Sequence, residues 1–428
     1  MRVLLVVPTH PVQIPPLGVG SIGALLEQEG HQTKIISSSG LSDSQAIEII
    51  SELKPDVIGF TGLTLWMKDI YRLADLIKNS AYPCKIICGG VHPSALPEET
   101  LQECSSLDAV VVGEGENIVR EIVHTLEIGK SLHDVPGIVF RDKGTIIKNE
   151  GLGIVENLDA LPFPKRDLFL PVSPDDDDQP VRLEIGRGCH LNCLGCPIPT
   201  VSGRHLRLRN PLRVVEELEV ILSSRDFRRF QFSNCLTAFD QGWLHTFCEE
   251  LKKRNLHKVI HWGTTISPQY VNEDTIQMMT RTGCYEVNFW TLESGDETIL
   301  RNIRKSFSSA QIRDAVNCCK RNGLRVFTAF TFGNIGETAE TIRATINLAK
   351  ELKPDEWWFR IKRPFPGTEL YRKGVEEGLP LKGRWEEYHM KDEPSSLPVV
   401  GTRLSPEELF RWTQVADKEM SSVKEVSH

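Results

Sequence analysis

VRLEIGRGCHLNCLGCPIP, residues 181–199, holds the pattern that decides the fold. An apolar, strand-like run ends in a glycine-flanked loop that carries Cys189, Cys193 and Cys196. Cysteine thiolates are the usual ligands of a four-iron cube, which needs four of them. Three thiolates leave one iron open, and an open metal position is where catalysis takes place. The spacing therefore predicts a 4Fe–4S cluster that binds a small molecule at its unique iron.

Two other uses of the three cysteines are weaker. A disulfide with a spare thiol suits an oxidising compartment, whereas this chain has the character of a cytoplasmic protein. A zinc site of three cysteines and one histidine needs a fourth ligand. His190 directly follows Cys189, so the two side chains of an extended segment point apart. Zinc remains the alternative to the cluster.

Length and composition limit the class of protein. A chain of 428 residues, 40% hydrophobic and 25% charged, predicts two to three globular domains. The net charge of -8 argues against a nucleic-acid partner. No apolar run approaches the length of a membrane span, and Pro8 cuts short the first apolar run, which is typical of a strand rather than a signal peptide. We expect a cytoplasmic protein without a membrane span.

The order of the predicted elements gives an α/β fold. Residues 1–125 alternate strands and helices, which predicts an N-terminal Rossmann-like, doubly wound parallel sheet. Residues 126–180 are expected to form a connector with a hairpin turning at Asp142–Gly144 and an acidic loop, and a metal site at Asp175–Asp178 is a minor alternative there.

A second alternating series follows the connector. Residues 181–370 hold six strand–helix units at most, which is fewer than the eight of a closed barrel. They predict a partial (β/α)6 barrel of the TIM type. Residues 371–428 are expected to form a helical C-terminal segment.

The cysteine motif and its position after a strand resemble the radical S-adenosylmethionine (SAM) enzymes. What precedes the motif resembles their subgroup with an N-terminal cobalamin-binding domain, and the resemblance covers roughly residues 1–370. It implies that SAM chelates the unique iron and that one electron, from a flavodoxin or ferredoxin, breaks a carbon–sulfur bond to give a 5′-deoxyadenosyl radical. The cofactor carries that chemistry and the protein orients it.

The resemblance also implies site residues at the ends of barrel strands. Asn234 and Cys235 are the candidate catalytic residues, the second as a hydrogen-atom donor, although a packed thiol is the simpler interpretation of Cys235. GNIGET, residues 333–338, resembles a turn that shapes the pocket. Gly195 stands where the family often has an aromatic residue, so that only its backbone is expected to meet the adenine. The expected SAM-binding residues are Gly195, Asn234, Glu293 and Ser294.

The N-terminal domain lacks one expected motif. THPVQIPPLG, residues 9–18, replaces the Asp-x-His-x-x-G pattern of cobalamin domains with a histidine ligand, so His10 is not expected to bind cobalt. Glycines after the strands still allow a corrin or its nucleotide tail to approach the backbone. The alternative is a vestigial domain that binds no corrin. The candidate cobalamin-binding residues are Pro16, Leu17, Gly18, Thr61, Leu63, Gly89, Gly90, His92 and Glu114.

These features predict a cobalamin-dependent radical SAM methyltransferase. Its substrate is expected to be a natural-product or lipid-like small molecule, with Trp262, Trp290 and Arg360 as candidates at the barrel mouth. One alternative is a radical dehydratase, deoxygenase, cyclase or rearrangement enzyme without methyl transfer. An iron–sulfur electron carrier is a remote alternative, because a carrier has no need of an open iron.

Overall fold

The structure is a computed structural model that describes residues 1–8, 16–170, 180–224, 228–233, 240–388 and 398–426. The chain divides into two compact units. The first holds Met1–Gln179 and Pro197–Arg207, and the second holds Pro180–Cys196 and Leu208–His428.

The first unit is built on one sheet, in which the described strands lie in the order β7-β6-β5-β4-β3-β1-β2-β8. The first five strands and β8 are parallel to one another. Strand β6 pairs antiparallel with β5, and β7 pairs antiparallel with β6. The strands are β1 (Arg2–Val7), β2 (Gln32–Ser37), β3 (Val57–Thr61), β4 (Lys85–Gly89), β5 (Ala109–Val111), β6 (Ile138–Asp142), β7 (Thr145–Lys148) and β8 (Phe169–Leu170). The helices are α1 (Leu17–Gln28), α2 (Asp43–Leu53), α3 (Met67–Asn79), α4 (Val91–Ala95), α5 (Pro97–Glu103), α6 (Gly115–Glu127) and α7 (Ile198–Ser202).

This sheet confirms the predicted doubly wound fold. Strand β1 is buried along Val3–Val7 because helices cover both faces of a parallel sheet. Helix α2 is capped by Ser42, whose hydroxyl accepts from the backbone N–H of Gln45. The predicted hairpin is β6–β7, with Asp142 opposite Thr145. Residues 126–179, expected as a connector, lie within the first unit, where their strands extend its sheet.

The second unit is built on six parallel strands in the order β16-β15-β14-β13-β12-β9. Among the described strands β16 does not pair with β9, so the barrel is open, as predicted. The strands are β9 (Val181–Glu184), β12 (Arg229–Ser233), β13 (His261–Thr265), β14 (Cys284–Glu293), β15 (Arg325–Phe332) and β16 (Glu356–Ile361), and the two-residue strands are β10 (Gly186–Arg187) and β11 (Arg207–Leu208). The helices are α8 (Pro211–Ser224), α9 (Gln241–Lys253), α10 (Glu273–Arg281), α11 (Glu297–Asn302), α12 (Ser309–Arg321), α13 (Ala339–Leu352), α14 (Glu369–Glu376) and α15 (Pro406–Val426).

The two faces of this sheet have different surroundings. Alternate residues along the strands, among them Phe230, Val287 and Phe359, are buried in one apolar core with the helices. The residues between them face the inside of the open barrel. The strand ends and this inner face are therefore the places where a ligand can be bound.

The C-terminal segment is helical, as predicted, and packs on the outside of the barrel. The indole Nε1 of Trp357 on β16 donates to Asp417 of α15 at 3.2 Å. Glu419 accepts from Lys350 of α13 at 2.9 Å. Over the described part of the chain, no helix combines the length and apolar character needed to cross a bilayer.

Candidate functional site

The cysteine loop is held in place by Leu194, which follows Cys193 directly. Leu194 is 4% exposed and packs with Leu370 and Val400. Its N–H donates to the carbonyl of Ile303 at 3.2 Å, and its carbonyl accepts from the N–H of Leu370 at the same distance. The loop is therefore fixed to elements that follow β14 and β16.

The cysteine loop carries three thiols. Cys189 is buried, and Cys193 and Cys196 are half-buried; none of the described cysteines forms a disulfide. Within the described ranges, no group of three or more His, Cys, Asp or Glu side chains converges on a point that could hold one metal ion. Three irons of a cluster each take one thiolate, so the number and chemistry of these side chains fit the predicted cluster.

Glu293 lies at the end of β14 between two lysines. Its carboxylate is 3.0 Å from Nζ of Lys362 and 3.4 Å from Nζ of Lys305, and it accepts a hydrogen bond from the Thr331 hydroxyl. Burial opposes the charge, but the two ammonium groups outweigh it and hold the pKa of Glu293 well below its usual range. The group thus keeps one negative and two positive charges in a site of low exposure.

Lys305 connects this group to the cysteine loop. Its side chain is 5% exposed, and burial lowers its pKa, but Glu293, Cys193 and Cys196 together raise it above the ordinary value. We define Glu293, Lys305 and Lys362 as the charged triad. Its mixed charges fit SAM, whose methionyl part carries an ammonium and a carboxylate group.

Gly195 makes room for this triad. A Cβ placed on Gly195 would lie 2.8 Å from Cε and 3.1 Å from Nζ of Lys362. Glycine at this position therefore allows Lys362 to reach Glu293 beside the loop. Lys362 follows β16 directly, and it was missed in the sequence, although a cation at the carboxyl end of a barrel strand is a signal that could have found it.

Two other sequence candidates near the triad have structural partners. Ser294 was expected to bind SAM, but it is fully buried, its hydroxyl lies 3.1 Å from Oγ1 of Thr345 and it accepts from the N–H of Asp296. In the turn at residues 333–338, Glu337 is 3% exposed and its carboxylate accepts from the N–H of Asn334 at 2.9 Å. Burial raises the pKa of Glu337 to about 7.

The candidates on the second and third barrel strands have different outcomes. Asn234 and Cys235 lie outside the described residues. The proposal that Trp262 lines the barrel mouth is wrong, because β13 runs from His261 to Thr265 and Trp262 lies near its start. Trp262 is fully buried on the outer face, where its ring packs against Phe232 and its Nε1 donates to the carbonyl of Thr282.

The first unit brings most of the cobalamin candidates to one edge of its sheet. Pro16, Leu17 and Gly18 begin α1 just after β1, and the other candidates follow the neighbouring strands β3 and β4. Parallel strands end at the same edge, where a nucleotide-like ligand binds. The candidates at this edge after β3 and β4 are Thr61, Leu63, Gly89 and Gly90.

The glycines of this edge have different surroundings. A Cβ on Gly18 would meet open space, which leaves its backbone accessible to a ligand. Gly90 has φ +102°, and a Cβ there would lie 2.9 Å from the backbone of Gly62, so glycine at this position is required by local packing. Leu63 is 37% exposed. The indole Nε1 of Trp66 is buried and has no hydrogen-bond partner in the described chain. An orphaned donor fits a polar ligand, and no motif in the sequence points to Trp66.

Two candidates at this edge face inward instead. His92 is 1% exposed, its Nδ1 lies 3.3 Å from Oγ1 of Thr64, and burial lowers its pKa to about 4. Glu114 forms a buried ion pair with Arg207 at 2.7 and 2.9 Å and accepts from the N–H of Val155. Both side chains therefore have partners within the first unit, and their contact with cobalamin stays a prediction.

Comparisons with known families match both units. A model of the B12 binding domain matches residues 3–123. A model of the radical SAM superfamily matches residues 183–349. The first match covers the sheet edge that the glycines leave open, and the second covers the cysteine loop together with Glu293 and Lys305.

Curated relatives extend the similarity over most of the chain. An uncharacterized methyltransferase from Pyrococcus horikoshii is 31% identical over 399 residues, which cover 91% of this chain and 86% of the relative. An anaerobic magnesium-protoporphyrin IX monomethyl ester cyclase from Rubrivivax gelatinosus is 26% identical over 376 residues, which cover 84% of this chain and 66% of the relative.

Solved structures share the fold. The radical S-adenosylmethionine methyltransferase TsrM from Kitasatospora setae, solved with cobalamin and a 4Fe–4S cluster bound, superposes with a TM-score of 0.75 at 17% identity and covers 96% of this chain and 84% of that chain. The cobalamin-dependent radical enzyme OxsB gives a TM-score of 0.71 at 20% identity, covering 98% of this chain and 61% of that chain. At these identities the likeness is one of fold.

Proposed function

Since the chain belongs to the radical SAM enzymes that carry a B12 binding domain, we propose that it transfers a methyl group from methylcobalamin to an unactivated carbon of a small molecule. The observation that carries the proposal is the charged triad beside a loop of only three cysteines, in a chain with a glycine-lined corrin edge. Two of those cysteines lie close enough to raise the pKa of Lys305.

Each cofactor has residues that would hold it. The cluster would be held by Cys189, Cys193 and Cys196, and SAM by Glu293 with the lysines of the charged triad. The edge of the first unit around Gly18 and Gly90 would hold cobalamin. When bound, the cluster and SAM supply reductive cleavage of a carbon–sulfur bond, and cobalamin supplies the methyl group.

The side chains of the second unit orient and shield this chemistry. Thr331 and Lys362 both donate to Oε2 of Glu293 and Lys305 donates to Oε1, so that the carboxylate is held in one orientation. Lys305 is nearly fully buried and compensates negative charge next to the cysteine loop. The low exposure of Glu293 and Lys305 keeps water away from the place where a radical would form.

The proposed enzyme needs one electron for each turnover. We infer that a flavodoxin- or ferredoxin-type donor supplies it. The methyl acceptor is taken to be a small molecule, because the net charge of -8 does not favour a polyanion.

The alternative without methyl transfer has two supporting observations. Three relatives are named cyclases, and the chain lacks the Asp-x-His-x-x-G pattern near β1. A radical cyclase, dehydratase or rearrangement enzyme would use the same charged triad and cysteine loop. The two functions differ in what they make from SAM.

Product analysis separates the two. We would purify the protein anaerobically, reconstitute it with iron, sulfide and cobalamin, and incubate it with SAM and dithionite. Methyl transfer predicts corrin absorbance and both S-adenosylhomocysteine and 5′-deoxyadenosine. Only 5′-deoxyadenosine would favour the alternative, and neither product, at full iron content, would reject both.

A further inference from the structure

The inner face of the open barrel carries an exposed aromatic surface. Trp290 on β14 and Trp358 on β16 are 42% and 39% exposed, although both lie in strands whose other face is buried against helices. Their neighbours in sequence, Phe289 and Phe359, point outward and are fully buried. Exposed large aromatic rings placed together mark a binding surface more often than isolated ones do.

The rings of this surface hold one another in place. The Trp290 ring lies 4.4 Å from that of Phe327 and 4.8 Å from that of Trp358, and the last pair is inclined at 76°. Phe327 and Trp358 meet edge to face at 5.3 Å. Such contacts are favourable and fix ring orientation. We define Trp290, Phe327 and Trp358 as the aromatic wall, a surface that is rigid before any ligand arrives.

A cation lies beside the aromatic wall, toward the carboxyl ends of the strands. Arg360 follows Trp358 by two residues, on the same face of β16, and its guanidinium lies 4.7 Å from the centre of the Trp358 ring. Arg360 is opposite Thr331 in the register of β15 and β16. Thr331 in turn donates to Glu293 of the charged triad. The wall, the cation and the triad thus follow one another along the inner face.

This order of groups defines a ligand. An aromatic face and a guanidinium favour a flat ring that carries an anion, because rings stack on indoles and guanidinium binds carboxylate through paired hydrogen bonds. Resting on the proposed function, we infer that the aromatic wall binds the methyl acceptor and that the acceptor is a planar aromatic acid. Its ring would lie on Trp290 and Trp358 and its carboxylate at Arg360, between the ring and the charged triad.

Equilibrium dialysis with three probes tests this inference. The probes are naphthylacetate, its uncharged methyl ester and its saturated decalin analogue, each with cluster- and cobalamin-loaded protein and SAM but no reductant. The variants are Trp290→Leu, Trp358→Leu and Arg360→Gln. The matched control is Trp357→Leu, since Trp357 is the same residue type one position away and points to the helices.

The inference predicts that naphthylacetate binds and that each of the three variants weakens binding about tenfold or more. The ester and the decalin analogue should bind more weakly than naphthylacetate to the unchanged protein. Trp357→Leu should lower the melting temperature and leave the affinity unchanged.

Several results would overturn the inference. They are no binding of naphthylacetate at millimolar concentration, equal affinity in the variants, or equal affinity for the decalin analogue. A dimer that dissociates on Trp290→Leu or Trp358→Leu would assign the wall to a second copy of the chain. The proposed function is judged separately, by S-adenosylhomocysteine formed with dithionite in the unchanged protein, so that one can fail while the other stands.

Discussion

The two ammonium groups at Glu293 give the site more positive than negative charge before SAM arrives. Lys305 and Lys362 reach the same carboxylate from different parts of the chain, one after α11 and the other after β16. When SAM binds, its carboxylate can take one of these cations while Glu293 receives a hydroxyl or ammonium donor. The charged triad is therefore preorganised: each of its charged groups would exchange a partner within the triad for one on SAM.

Replacing either lysine by methionine should weaken SAM binding. Lys305→Met and Lys362→Met each remove one charged hydrogen-bond donor, which corresponds to about a 10- to 100-fold rise in Kd. Calorimetry of SAM binding to cluster-loaded protein measures this. Lys252→Met, at an exposed pair with Glu249 on α9, is the control and should leave the Kd unchanged. An unaltered Kd in both triad variants, at full iron content, would remove the triad from the SAM site.

The buried Glu337 carboxyl gives the stability of the protein a pH dependence. Its folded pKa of about 7 lies above the unfolded value of about 4.5. The folded chain then binds more protons than the unfolded chain between these values, so the contribution of Glu337 to stability falls as the pH rises through this window. Glu337→Gln removes that loss. The unfolding free energy of the variant, relative to that of the unchanged protein, should therefore rise by about 1 kcal/mol from about pH 6 to pH 8.

Anaerobic denaturant unfolding at the two pH values measures this difference. Glu351→Gln, an exposed carboxylate on α13, is the control and should show no comparable trend. An advantage of Glu337→Gln that stays constant or shrinks with rising pH would mean that Glu337 is already ionised.

The residues of the site differ in how far the sequence predicts them. The cysteines and Glu293 stand in recognisable motifs at strand ends. Lys305 and Lys362 do not, because a lysine is usually a solvated surface residue and only the fold brings these two together. Ser294 stands beside Glu293, but its hydroxyl lies against that of Thr345, and its contact with SAM stays a prediction.

At the scale of elements, the cysteine loop depends on packing as much as on its ligands. Leu194 is the buried residue that joins the loop to Ile303 and Leu370. Gly195, next to it, leaves space for Lys362. The loop is thus positioned by side chains and backbone groups that do not bind metal, and its geometry should persist in the metal-free protein.

Leu194→Ala should loosen the loop. The lost contacts and the cavity cost about 2–4 kcal/mol of unfolding free energy. We expect a lower iron content after reconstitution and desalting, measured as iron per chain, together with a lower Tm. Leu212→Ala, at a partly exposed position on α8, is the control. Wild-type iron retention in Leu194→Ala would show that the cysteines alone fix the loop.

The element pattern itself was largely readable from the sequence. Every predicted strand and helix of the barrel is present, because amphipathic helices and short apolar strands alternate without long interruptions. The error at Trp262 came from a strand boundary. Trp262 was expected at the end of its strand, but β13 continues to Thr265, and the ring lies on the face that packs against the helices. Boundaries depend on pairing with neighbouring strands, which a single segment does not encode.

At the scale of the molecule, the candidate cofactor sites fall in different compact units. The cysteine loop and the charged triad lie in the second unit, and the glycine-lined edge lies in the first. We propose that each unit holds its cofactor with its own residues. Loss of one cofactor should therefore leave the other bound.

Variants at the two sites test this independence. The triple variant Cys189→Ala, Cys193→Ala, Cys196→Ala should lose its iron but keep corrin absorbance after gel filtration with cobalamin. Gly90→Val should do the reverse, because φ +102° and the nearby Gly62 backbone exclude a branched side chain. Loss of both cofactors in a variant that remains folded would show that the sites are not independent.

If three cysteines hold the cluster, one iron is left for SAM, and Mössbauer spectroscopy of the reconstituted protein can detect that iron. We expect a four-iron cluster in which a single iron changes its isomer shift when SAM is added, and we expect no cluster in the triple alanine variant. Bound zinc in place of iron, or a spectrum that SAM does not change, would rule out an iron that binds SAM.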